Sequence, residues 1–242
     1  MQRSSCLAFA AIFGALLLTP SFAAAQEISV DLGDGGSLTA RSLQLIALIT
    51  VLSLAPGLAV MVTCFPFVVT VLSILRQAIG LQQSPPNMLI VSLALFLTYF
   101  VMAPVFEEAY LTGIVPLLDG DLTVETAMPV IYEPFRGFMM NRVDQSTLVS
   151  LAELRPNTNA ADPDASVLIP AFMLSEVERA FQIGFLIFLP FLVIDLVVAA
   201  ILMSMGMMMV PPAIVSLPFK LAFFVVADGW ALITGALVRS YF

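Results

Sequence analysis

Residues 181–220 read FQIGFLIFLPFLVIDLVVAAILMSMGMMMVPPAIVSLPFK and carry two charged side chains, Asp195 and Lys220. An apolar run of this length exceeds the roughly 18–20 residues that cross a bilayer as a helix. Gly206 and the Pro211-Pro212 pair punctuate it, which makes the stretch a helical hairpin. Asp195 stands thirteen residues before Met208 and Lys220 twelve after it. In an antiparallel pair of helices the two therefore lie at one depth. A lone charge near a bilayer centre costs about 2.5–3.5 kcal/mol on insertion scales, so the spacing predicts an Asp195–Lys220 pair, within one subunit or across a subunit boundary. The same count sets Glu178 opposite Arg239 as a second pair. A rival reading makes Asp195 a proton or sodium carrier. Carrier sites gather several polar groups at one depth, whereas the neighbours here are Ile194, Leu196, Val197 and Val198.

The turn itself, Gly206-Met207-Met208-Met209-Val210-Pro211-Pro212, is apolar. A turn that leaves a membrane is normally polar, so this one is expected against protein or at a constriction facing its own copies. Methionine is unbranched and changes rotamer readily. Met207, Met208 and Met209 are accordingly candidates for a deformable pore gate. Gap-filling by flexible side chains is the plainer alternative.

Composition agrees with a membrane protein. Of 242 residues, 60% are hydrophobic and 11% charged, and the mean hydropathy is +1.04. A soluble domain carries about 25% charged residues. Nine Lys and Arg against a net charge of −8 argue against nucleic-acid binding, which needs a basic face. The absence of histidine removes imidazole metal ligands and His-based catalytic pairs. Cys6 and Cys64 are too few for a disulfide framework or a cysteine-rich metal site. Neither a metal nor a cofactor is expected, and no catalytic site is defensible.

Four apolar blocks follow an N-terminal leader. Arg3, the run Leu7–Leu18 and Ala23-Ala24-Ala25 before Gln26 resemble a cleavable signal peptide over 1–25. The first block, Leu43–Leu75, is too long for one straight span, and Pro56-Gly57 and Pro66 are expected to kink or break it. The second runs Met88–Phe106, and residues 26–106 form an N-terminal segment and first helical hairpin. Its turn holds Arg76, Gln77, Gly80, Gln82, Gln83, Pro85 and Pro86. Gly80 suits a helix end, Ser84 a cap and Pro85 a first turn. A connector explains this turn, with partner docking as a second reading. Residues 107–179 form a polar, periplasmic helical region with Asp144 as an N-cap and Pro170 in a helix first turn. Residues 180–242 form the second hairpin. With a periplasmic N-terminus and four spans, Arg136, Arg142, Arg155 and Arg179 fall outside, against the positive-inside tendency. Either the leader is misread or the hairpins do not sit in lipid as ordinary spans.

The stretches 74–87 (ILRQAIGLQQSPPN), 180–185 (AFQIGF), 190–199 (PFLVIDLVVA), 206–212 (GMMMVPP), 217–220 (LPFK) and 228–230 (DGW) together resemble the FliP family of the flagellar type III export apparatus. The likeness spans the chain after the leader and is loosest over Thr112–Ser166. It implies an all-α integral membrane protein whose kinked helical hairpins form a subunit of a ring-like or helical export gate. Unfolded flagellar proteins would cross the inner membrane through it. It also implies a pentamer-like homo-oligomer joined by FliQ and FliR, seated in the basal body above FlhA and FlhB, with FliO helping assembly. In the family the methionine turn lines the closed pore, and Met207, Met208 and Met209 match those positions. Family members pack into an assembly lifted largely out of the bilayer plane, which would account for the failed charge count. The virulence secretion counterpart shares these motifs, and the leader favours the flagellar branch.

Overall fold

The computed structural model describes residues 38–80, 85–155, 159–207 and 209–242. The expected leader and residues Gln82, Gln83, Ser84 and Met208 lie outside the described residues. The chain divides after Thr50 into two units, residues 1–50 and 51–242.

Nine α-helices account for the described residues: α1 Leu38–Met61, α2 Phe65–Ile79, α3 Asn87–Ala109, α4 Val115–Asp119, α5 Val124–Arg142, α6 Gln145–Glu153, α7 Ala165–Ser204, α8 Pro212–Val226 and α9 Gly229–Arg239. A π-helical turn, Tyr110–Ile114, joins α3 to α4. Among these residues the sole β feature is an isolated bridge between Asn159 and Asp162. The fold is all-α.

Among the described residues three stretches are long and apolar enough to cross a membrane: Ser42–Met61, Asn87–Asp119 and Ala165–Ser204. The bent pair α8–α9 makes a fourth if it counts as one span. The first apolar block breaks at Val62–Cys64, where Pro66 sits in the opening turn of α2. Pro56 lies inside α1 without ending it. The second block continues past Phe106 through Glu107 and Glu108 to the end of α3. Pro170, expected in a first turn, lies inside α7, which starts at Ala165. At about 1.5 Å per residue this helix of 40 residues is near 60 Å long, twice the hydrocarbon thickness of a bilayer. A straight span cannot hold the whole of it within one bilayer's hydrocarbon.

Two apolar clusters hang on α7. Phe67, Val71, Leu72 and Leu75 of α2 pack with Ile90, Ala94 and Met102 of α3 and Ala180 and Phe191 of α7. Gly184 makes that contact close: a Cβ there would meet Ile74 Cδ1 at 2.4 Å. Nearer the start of α7, Leu168 and Phe172 pack with Met139 of α5 and Leu148 of α6. The Asp144 side chain accepts from Thr147 N–H at 3.0 Å, capping α6. Hydrogen bonds from the Ser146 hydroxyl, and then from the Thr147 amide, hold the Asp144 carboxyl below its ordinary value of 3.8.

Candidate functional site

The second hairpin turns through a Schellman motif. Gly206 adopts φ 76, Met207 N–H bonds Leu202 C=O at 3.0 Å and Gly206 N–H bonds Met203 C=O at 3.1 Å. Glycine is the residue that takes this left-handed position without strain. Pro211 then precedes α8 and Pro212 opens it, where a missing N–H costs nothing. Met209 is 97% exposed and Met207 38%. Met207 lines an apolar groove of ≈ 520 Å³ between α7 and α8, with Val197, Ile201, Met205, Val215 and Phe219 among its neighbours.

Behind this tip the structure brings Asp195 and Lys220 together. Lys220 Nζ lies 2.6 Å from Asp195 Oδ2, with the lysine side chain 6% exposed and the carboxylate 36%. The other carboxylate oxygen accepts from the Ser216 hydroxyl at 2.5 Å. Lys220 Nζ also donates to Ala78 C=O at 3.1 Å. That carbonyl is among the last four of α2, which have no partner within their helix and favour a nearby cation. The charged pair of the second hairpin thus meets the turn of the first. Ser216 precedes Lys220 by four residues, so it shares the lysine's face. That periodicity marks it as a partner beforehand.

Glu178 and Arg239 are not joined. Among the described residues Glu178 accepts from Gln182, and no ion pair reaches Arg239. The register counted outward from Met208 holds as far as Lys220 and fails beyond it. The reason is a bend of 62° between α8 and α9. It falls at Ala227-Asp228, where Asp228 takes a left-handed φ of 50. Gly229 follows tightly under Phe224, whose Cε2 would lie 2.2 Å from an added Cβ.

The first turn is closed from inside. Gly80, at φ 89, ends α2 with its N–H on Gln77 C=O. Arg76 donates to the Pro85 carbonyl at 3.3 Å and to the Asn87 side chain. Its guanidinium therefore ties the turn's two sides together. Gln77 and Pro86 are exposed.

An acidic residue that the sequence reading passed over sits at the centre of a second polar site. Glu176 is fully buried on α7. It accepts from Arg142 Nε at 3.2 Å, from Arg179 at 3.5 Å and from the Tyr241 hydroxyl. Arg142 also donates to Ser240 C=O at 2.7 Å and lies 4.0 Å from the Tyr241 ring centre. Burial, and then the Glu176 charge, push the Tyr241 phenol far above its ordinary value. It stays protonated and donating. The site joins α5, α7 and the segment after α9. No cluster of His, Cys, Asp or Glu suited to a metal occurs among the described residues.

The FliP family model matches residues 48–237. Flagellar biosynthetic protein FliP of Caulobacter vibrioides is 49% identical over 244 residues, covering 100% of this chain and 92% of that protein. The Bacillus subtilis protein of the same name is 44% identical, covering 83% of this chain and 92% of its own. That of Aquifex aeolicus is 40% identical, with coverages of 93% and 97%. Family match and relatives both span most of the sequence, so the chain belongs to the FliP family, a component of flagellar biosynthesis and export rich in apolar helices.

Proposed function

We propose that this chain is a subunit of the flagellar protein export gate, and that its methionine turn seals the pore through which unfolded flagellar proteins cross the inner membrane. The supporting observation is the shape of the second hairpin. α2 runs parallel to α7, with Ile74 against Gly184, and its end meets Lys220 at the level of Asp195. Beyond that level α7 continues to Ser204, about 14 Å at 1.5 Å per residue. The projecting part presents exposed Leu196, Ile201, Met203, Met205 and Ile214. An apolar tip of this kind requires cover from other subunits or lipid. Closing a ring of such tips puts soft, polarisable side chains around one axis.

In this reading the ring is a pentamer-like homo-oligomer completed by FliQ and FliR in the basal body. FlhA and FlhB lie beneath it and FliO assists assembly. The chain does no catalysis, and energy comes from its partners. Asp195 as an ion carrier fits less well, because Lys220 and Ser216 engage both of its carboxylate oxygens. A photocross-linker placed at Met209 in the assembled complex tests the proposal. An export substrate stalled by a fused, tightly folded domain should be captured at that position. Capture of lipid alone, with the stalled substrate present, would overturn it.

A further inference from the structure

Resting on the export-gate reading, we infer that Lys220 is a positioning residue that fixes the rear of the gate hairpin against the first hairpin, so that opening is confined to the tip beyond it. Lys220 is 5% exposed and holds two partners on two different helices, Asp195 of α7 at 2.6 Å and the Ala78 carbonyl of α2 at 3.1 Å. Leu217, one turn earlier on the same face, packs at Gly80: its Cδ1 and Lys220 Nζ both lie 3.8 Å from where a Gly80 Cβ would stand. A slide of α8 by one residue moves the ammonium about 1.5 Å along the axis and about 100° around it. That breaks both bonds of an ammonium that is nearly closed to water. Behind the lysine, the contact of Gly184 with Ile74 leaves no slack. Ahead of it the chain is different. Gly206, Pro211 and Pro212 interrupt the helical hairpin there, and the groove beside Met207 gives the neighbouring side chains room. The rear is a fulcrum and the tip is the moving part.

Two arms test this in the assembled export complex in cells. In the first, Ile74→Cys is combined with Gly184→Cys. The Cβ positions are 3.3 Å apart, close to the roughly 3.5–4.5 Å that a disulfide spans. Oxidation of this pair is expected to leave export unchanged, because the bridged helices do not move. Loss of export on oxidation, restored by reductant, overturns the inference. In the second, Lys220→Met is expected to raise ion leak through the closed, assembled complex by at least about tenfold, the shift from losing even one of its two charge-assisted bonds. Lys220→Arg, which reaches both partners, should restore the seal. Unchanged leak in assembled Lys220→Met complexes overturns the inference. The disulfide arm reads export and not leak, so it stands whether or not Lys220→Met assembles. Failure of the gate reading would show separately, as tight closure after the methionine turn is replaced by glycine.

Discussion

Replacing Arg142 by methionine keeps most of the side chain's bulk and removes its charge from the Glu176 site. Glu176 has no exposed side-chain surface and Arg142 has 14%, so water cannot take the lost place. Breaking a buried pair costs about 3–5 kcal/mol. Arg179, at 3.5 Å and 36% exposed, and the Tyr241 hydroxyl remain as partners, which sets the loss at the lower end, about 3 kcal/mol. The bond to Ser240 C=O and the contact over the Tyr241 ring go as well. At about 2–4 °C per kcal/mol for a chain of this size, the melting temperature should fall by roughly 6–12 °C. This chain purified alone in detergent, heated while the fluorescence of Trp230 is followed, reads this directly, since the chain has one tryptophan. Adding Glu176→Gln to Arg142→Met removes the stranded carboxylate and should recover a large part of the loss. A single variant that melts within about 2 °C of the parent, or a double variant no more stable than the single, refutes the reasoning.

Other substitutions probe other parts of the same structure. Asp195→Asn leaves the buried Lys220 ammonium without its counter-charge and should lower the yield of assembled complex on native gels, with Asp195→Glu less harmful. Gly229→Ala drives a methyl group into the Phe224 ring, at about 1–3 kcal/mol for overpacking. Because Phe224 packs edge-on against Trp230 at 5.4 Å, the emission of Trp230 should shift. At Asp144 the folded-state carboxyl is held below its ordinary value of 3.8. Its stabilising effect is therefore present above that pH and fades as pH falls through the depressed value. Proteolysis at the α5–α6 junction should increase in acid in the parent, and Asp144→Asn, which caps without titrating, should lose that acid dependence.

The helices were legible from runs of apolar side chains, because a bilayer-length block with no alternation admits little else. Local chemistry was equally readable at Gly80, Gly206 and Asp144, where one residue type decides a cap. The Asp195–Lys220 contact followed from counting, since both residues lie on the near side of the bend. Glu178 and Arg239 did not meet, because counting at constant rise passes straight over Asp228-Gly229, a turn dipeptide at which the helix bends by 62°. Glu176 and Glu178 illustrate another limit. Two residues apart on a helix they face opposite ways, and which one is buried depends on Arg142 and Tyr241, distant in sequence. Pro170 and Pro190 lie inside α7 because the packing of that helix overrides a local penalty of about 3 kcal/mol.

The central claim is that several copies of one oily, methionine-tipped hairpin close a shared hole. Ion conductance of the complete complex in a planar bilayer, with Met207, Met208 and Met209 all replaced by glycine, tests it most directly. A persistent leak through complexes of unchanged composition is the expected result. An electrically tight bilayer with the glycine turn in place would contradict the claim.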